Sequence, residues 1–449
     1  MKTLEQKSRE SSLFEDGNIT WDSLVTLCIE RRITHFTVDS RNIQKGSLFF
    51  ALKGAHHDGH GFLEIAEQKG AIAAVVDQAY SKKKETLPLI AVPDVLTALQ
   101  NLAKEVQKKR SQLVIAVTGS VGKTTTKEFI AALLSKKFLV AKTPGNQNSQ
   151  IGLPLVILNS LGKEEVFIAE MGMSRKGEIK NLVNILPPDI AVITKIGHSH
   201  LDTVGGNIID VALAKSEILS HPQTKVAFIE QGAYQYPSIQ EKGPSQKITF
   251  SLGDKSDVRL VPGWRVQERD AFSPLFSLPF VETHFCENMV GSIALARFMN
   301  LSWEEIFQGL EDLKLIHHRF EKIERDGVLF INDSYNASPE SMKAAFENLP
   351  PPLPGGRVIA VLAEMVTLGP YSDEGHLYVG QIALDKADHL FCLGSKCSPM
   401  IEVWKEKGRE AILYPSLNAL KEFIFSFVRP KDIVLLKGSN CHKLWTILE

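Results

Sequence analysis

Two spacings of apolar residues organise this chain. From residue 113 to residue 230, short apolar runs that read as strands (LVIAVT, VFIAE, IAVITKI, VAFIE) alternate with stretches of helical period (TTTKEFIAALLSKK, IIDVALAKSEILS). That order predicts a parallel sheet with crossover helices. Ahead of it, up to about Pro93, the runs SLFFAL and AIAAVVD stand between Gly, Asp and His clusters, the pattern of a small mixed α/β unit. DVLTALQNLAKEVQKKR then carries Val95, Leu96, Leu99, Leu102 and Val106 at helical spacing and ends in a basic cluster, as a helix leading into the next domain should. Between about Gln231 and Phe285 the runs KITFSLG, PGWRV and FSPLFSLPFVETHF suggest an antiparallel excursion, and CENMVGSIALARFMN returns to a helix. After Arg319, the runs VLFINDS, RVIAVLAEM, HLFCLGS and DIVLLKGS end in polar or glycine residues and alternate with helical segments, as in a Rossmann-like domain. The expected fold class is α/β in three domains, at residues 1–93, 94–316 and 317–449.

Composition narrows the class. A chain of 449 residues with 44% hydrophobic content exceeds what one core sustains, so several domains are natural. With 51 basic residues against 52 acidic ones, the net charge of −1 provides no whole-molecule field toward nucleic acid or anionic lipid. The cysteines Cys28, Cys286, Cys392, Cys397 and Cys441 are scattered without a C-x-x-C pair, against a zinc site or a disulfide framework. The start MKTLEQKSRESS is polar where a signal peptide needs an apolar segment, and no run approaches the ~18 apolar residues of a membrane span. The expectation is a soluble cytoplasmic protein, with no nucleic-acid partner and no membrane span. A monomer is the expected working unit.

Candidate chemistry centres on AVTGSVGKTTTKEF. A strand feeding Gly119, Ser120, Val121, Gly122, Lys123, Thr124 and Thr125 and then a helix has the parts of a phosphate cradle. Glycines let backbone amides approach an anion, the helix N-terminus adds positive potential, Lys123 supplies a cation, and the Thr124 hydroxyl suits Mg2+. The strict P-loop wants glycine six residues before the lysine, where Val117 stands. Ligands of open parallel sheets collect at the carboxyl ends of strands. Glu170 after VFIAE, and His198 or His200 after IAVITKI, are therefore candidates to share one hard, oxygen-loving metal with Thr124. For Lys215, on a helix whose Ile208, Val211 and Leu219 face inward, periodicity alone gives a lysine with its stem on the core and its ammonium in water.

In order and spacing, TGSVGKTTTKEF, TPGNQNSQIGLPL, FIAEMGMS, KIGHSHLDTVGG, ALAKSEI and NDSYNASPESM resemble the Mur ligases, and DSRNIQKGSLFFALKGAHHDGHGFLEIAEQKGA resembles that family's N-terminal domain. The resemblance implies an ATP-dependent, ADP-forming amide ligase of peptidoglycan precursor synthesis. Its substrates would be UDP-N-acetylmuramoyl-tripeptide and D-alanyl-D-alanine, and its cofactors ATP and Mg2+. It implies a UDP-substrate domain, a central ATP-binding domain and a C-terminal Rossmann-like domain. Carried over by position, it gives Lys123 to the ATP phosphates, and Thr124, Glu170 and His200 to magnesium. Lys215 matches a lysine that this family carbamylates as a ligand for a second magnesium. Asn288, Arg319, Asp333, Tyr335 and Asn336 match nucleotide-side positions; Asp39, Ser40, Arg41, Asn146 and Asn148 match substrate contacts. Gln147, Ser149, Glu287, Ala363, Glu364, Thr367 and Asn440 depart from the family's usual residues. The implied chemistry is an acyl phosphate made from the substrate carboxylate and ATP, with domain closure about a hinge near His317 and His318. Two other readings stand beside it. One is a sister Mur or folylpolyglutamate-type ligase, against which the D-S-R and N-D-S-Y-N-A-S segments count. The other is a P-loop regulatory ATPase or GTPase, although no guanine-reading N-K-x-D is visible.

Overall fold

The computed structural model describes residues 21–54, 57–80, 86–253, 255–268, 271–314 and 316–449. The chain divides into two compact units, one of residues 1–115, 139–171 and 180–188, the other of 116–138, 172–179 and 189–449.

In the first unit, β1 (His35–Thr37), β2 (Ser47–Phe50), β3 (Ala73–Asp77) and β4 (Leu89–Val92) form a parallel sheet in chain order. Phe49, Ala51, Leu63, Ala74 and Val76 build its core, as the apolar runs SLFFAL and AIAAVVD require. The expected helix runs Val95–Lys108, capped by the Asp94 carboxylate on Thr97 N–H, and buries the predicted stripe of Leu99, Leu102 and Val106. β5 (Leu113–Thr118) follows and crosses the division at residue 115. β6 (Val140–Lys142) and β7 (Val166–Glu170) pair in parallel in the first unit.

The second unit continues with β8 (Ile190–Ile193), β9 (Val226–Glu230), β10 (Gln246–Ser251), β11 (Val258–Val261), β12 (Arg265–Glu268) and β13 (Ala271–Phe272). Their order is β13-β12-β11-β10-β9-β8-β5. The antiparallel excursion expected over 231–285 is partly corrected. β10 lies parallel to β9, β11 lies parallel to β10, and only β11–β12–β13 is antiparallel. KITFS therefore extends the buried parallel sheet, with Phe250 fully buried, and the hairpin begins later.

A third sheet closes the chain: β14 (Glu321–Arg325), β15 (Val328–Asn332), β16 (Val358–Ala363), β17 (His389–Leu393), β18 (Ala411–Tyr414) and β19 (Ile433–Lys437), in the order β14-β15-β19-β16-β17-β18. All neighbours are parallel except β14 on β15. The apolar runs of β16 and of β19, the latter ending in buried Lys437, make them its buried central strands. Three sheets in an α/β chain match the expected architecture, and no helix among the described residues is long and apolar enough to cross a membrane.

Candidate functional site

The glycine loop sits at the carboxyl end of β5 and is built by close contact. Gly119 has φ +153, and a Cβ there would lie 1.9 Å from Thr194 Oγ1. That hydroxyl donates to the carbonyls of Val121 (2.6 Å) and Thr118 (3.2 Å), tying the loop to the end of β8. Ser120 and Val121 both donate their amides to the Lys195 carbonyl. Gly122, at φ +91, is the N-cap of the helix Lys123–Leu134, and its missing Cβ would meet Asn288 Oδ1 at 2.6 Å. Thr126 N–H is the first to reach an intrahelical acceptor, the Gly122 carbonyl, so the amides of Lys123, Thr124 and Thr125 form the open first turn of a helix. Lys123 Nζ donates to Gly119 O at 2.8 Å, so the cation lies over the loop.

His200 and Lys215 come to the same place. His200 adopts φ 58 at the start of the turn Leu201–Val204. Burial first, then the charges of Lys215 and Lys123, lower its pKa to about 4, so its imidazole is neutral and able to ligate a metal. Lys215 closes the helix Ile208–Lys215 and is only 1% exposed. The reading of this lysine as a surface group with its ammonium in water is thereby corrected, because a residue so buried cannot snorkel. The two candidate histidines differ in surroundings: His198 turns its ring to Glu340, whereas His200 feels the charges of Lys215 and Lys123.

Magnesium takes oxygen ligands and seldom tolerates an adjacent cation. The Thr124 hydroxyl fits it, the neutral His200 would add one nitrogen donor, and Lys215 fits once its nitrogen carries a carboxylate, which would replace a buried positive charge near His200 with a negative one. No group of three or more His, Cys, Asp or Glu gathers for a metal among the described residues.

The nucleotide-side residues are linked through the second unit. Arg319 donates to Thr124 Oγ1 at 3.4 Å, and its guanidinium lies 4.0 Å over the Tyr335 ring. Asp333 accepts from Phe320 N–H and pairs at 2.5 Å with Lys437, a fully buried lysine that also donates to the Asn336 carbonyl. Lys437 was not singled out from the sequence; a lysine ending the apolar run VLL was the available signal. Glu287, beside Asn288, has its pKa raised to about 7 by burial, with nearby Glu230 adding to the effect and Lys195 opposing it. His318 is held by a ring contact of 5.1 Å to Trp445 and by Asn332, with φ 62.

In the first unit, Glu170 ends β7 with 2% exposure; its amide donates to Thr143 Oγ1 and its Oε1 accepts from Asn148 Nδ2 at 2.6 Å. Asn146 is exposed in the same loop. Asp39 caps the short turn Ser40–Asn42 and grips the exposed Arg41 guanidinium, while Lys69 Nζ donates to the Ser40 and Arg41 carbonyls.

Family models match along the chain: the Mur ligase family catalytic domain over residues 32–107, the Mur ligase middle domain over 117–296, and the Mur ligase glutamate ligase domain over 318–440. The chain is 35% identical over 431 residues to the UDP-N-acetylmuramoyl-tripeptide–D-alanyl-D-alanine ligase of Bacillus subtilis (strain 168), covering 94% of this chain and 93% of that protein. The chain belongs to the Mur ligase family. Among solved structures, MurF from Acinetobacter baumannii superposes with a TM-score of 0.80 at 28% identity, over 93% of this chain and 92% of that one. The MurF ligase from Thermotoga maritima in complex with ADP gives 0.78 at 28% identity, over 93% and 96%. Membership in the Mur ligase family accounts for the three sheets and for the strand, glycine loop and helix that follow one another at β5.

Proposed function

We propose that this chain joins D-alanyl-D-alanine to UDP-N-acetylmuramoyl-tripeptide at the expense of ATP, releasing ADP and phosphate and forming the UDP-muramoyl-pentapeptide. The observation that carries this reading is the meeting of the glycine loop, Lys123, His200 and buried Lys215 in a chain alike to such ligases over nearly its whole length. We propose domains of residues 1–93, 94–316 and 317–449 for the UDP substrate, ATP and the C-terminal Rossmann-like fold respectively; three matched family segments in that order support the division into three, although the first runs on to residue 107. We also propose a cytoplasmic monomer.

A carboxylate is a poor acylating agent, because its charge repels nucleophiles and oxide does not leave. The substrate carboxylate attacks the γ-phosphorus of ATP, the bond to the bridging oxygen breaks, and ADP departs, leaving an acyl phosphate. The dipeptide amine then attacks the acyl carbon and phosphate leaves, with the amine proton lost to solvent or a base. Lys123 and the first-turn amides of Lys123, Thr124 and Thr125 hold the phosphates and offset charge on the transferring group. Thr124, Glu170, His200 and carbamylated Lys215 are the proposed magnesium ligands. Bound magnesium would neutralise phosphate charge. Gly119, Ser120, Val121 and Gly122 shape the loop, Asn288, Arg319, Asp333, Tyr335 and Asn336 serve the nucleotide side, and Ser40, Arg41, Asn146 and Asn148 serve the UDP substrate.

The test is phosphate release from ATP with each substrate omitted in turn. Release that needs both the UDP-tripeptide and D-alanyl-D-alanine is expected, and Lys123→Ala should lower it on the order of 10²-fold. Equal release without either substrate would point to a switch ATPase instead.

A further inference from the structure

One carboxylate outside the residues assigned so far reaches into the loop assembly. Glu340 stands in the first turn of the helix Pro339–Glu347, which opens on a Ser338–Ser341 capping box. Its Oε1 accepts twice from His198, from the backbone N–H at 2.9 Å and from the ring Nδ1 at 2.5 Å. The opposite influence, steric, comes from Gly197: a Cβ there would sit 2.6 Å from Glu340 Cδ, so the glycine is what lets the carboxylate come this close. Tyr371 stacks on the His198 ring at 4.3 Å and 20°.

The segment so gripped is the one that braces the phosphate loop. Ser120 Oγ donates to the Gly197 carbonyl at 2.9 Å, and Ser199 Oγ donates to Ser120 Oγ at 3.0 Å. A chain of short contacts thus runs from the C-terminal sheet's helix, through Glu340 and His198, to Ser120 in the loop beside Lys123. Glu340 Oε2 is buried with no hydrogen-bond partner in the structure, so a carboxylate has been kept in a poorly solvated place for the sake of what its other oxygen does. A surface ion pair would not need that arrangement.

We propose that Glu340 is a positioning residue for ATP: it orients His198, His198 fixes the Gly197–Ser199 segment, and that segment sets Ser120 and the phosphate loop in their working geometry. The C-terminal domain is then read directly by the nucleotide loop, and its departure would slacken the loop. This rests on the ligase reading above.

A double-mutant cycle tests it in the full-length enzyme, with kcat and the KM of ATP and of the UDP-tripeptide measured separately. Glu340→Ala and His198→Ala should each lower kcat/KM for ATP roughly 10- to 100-fold, the cost of a loop misplaced by an ångström or so. The KM of the UDP-tripeptide should stay within about twofold, since the relay does not reach that substrate. The double variant should be no worse than the more damaged single one, because both remove the same relay. Glu340→Gln keeps an acceptor oxygen and should recover most of the activity. A multiplicative loss in the double variant, an equal rise in both KM values, or single variants as active as the parent would each overturn the proposal. If Glu340→Ala fails to fold, Glu340→Asp, which draws the carboxylate back from His198, completes the same cycle with His198→Ala, and a multiplicative loss there is equally fatal. A parent enzyme that ligates normally while the variants are unaffected sinks only the relay; a parent that never ligates sinks the ligase reading.

Discussion

Lys215 is 1% exposed, and its charge and that of Lys123 both bear on His200, so an unmodified ammonium there adds to a positive field at that histidine. Conversion to a carbamate relieves that field, which makes the residue testable apart from catalysis. In protein equilibrated with ¹³C-bicarbonate, a carbamate carbon resonance is expected, and it should vanish in Lys215→Ala. Ligation should fall on the order of 10²-fold in that variant while the melting transition is kept. A fully active Lys215→Ala would remove the second-metal role. Glu287 gives a prediction of opposite character. Its folded pKa is raised from 4.5 to about 7, so the native state holds a proton that the unfolded chain releases. The stability tied to that proton is complete below about pH 4.5 and disappears as pH rises through 7, a change of about 3 kcal/mol at most. Glu287→Gln should therefore melt higher than the parent at pH 8 and no higher at pH 4.5. Parallel melting curves for the two proteins across that range would refute it.

At the scale of elements, the strand–loop–helix unit was legible because each part has a local cause. An apolar run of β-branched residues makes β5, Gly119 and Gly122 take backbone shapes and contacts closed to other residues, and the helix period follows at once. The excursion after Gln231 was misjudged because a short run such as KITFS has the same pattern in a parallel or an antiparallel neighbour; only the β9 pairing decides it. β18 carried too little signal to be named, being four residues long with one exposed leucine. Gly122 makes the local claim measurable. A side chain there meets both φ +91 and Asn288 Oδ1, so Gly122→Ala should weaken binding of a non-hydrolysable ATP analogue roughly 5- to 30-fold, from about 1–2 kcal/mol of backbone strain. Calorimetric affinities equal to the parent's would show that the loop tolerates a Cβ.

Over the whole molecule, what the sequence concealed is what joins distant segments. Lys437 with Asp333, Glu340 with His198, and Arg319 with Thr124 are separated by 104, 142 and 195 positions, and no periodicity points from one member to the other. The last two matter for a reaction whose intermediate would hydrolyse on meeting water, because they tie the glycine-loop region to the C-terminal segment, while Lys437 and Asp333 brace the C-terminal sheet from within. A hydrolase or switch has no need to protect that species; a ligase does. With ATP and the UDP-tripeptide present but D-alanyl-D-alanine withheld, phosphate release should be slow, and added hydroxylamine should capture the activated carboxyl as a hydroxamate detectable by mass spectrometry. Lys123→Ala should give no hydroxamate, because the first step fails. In Glu340→Ala the hydroxamate should form more slowly, in proportion to the loss in kcat/KM for ATP, if the loop is what the relay governs. Rapid phosphate release with no trapped product in the parent enzyme would mean that the triphosphate is cleaved by water, and the acyl-phosphate route would have to be abandoned.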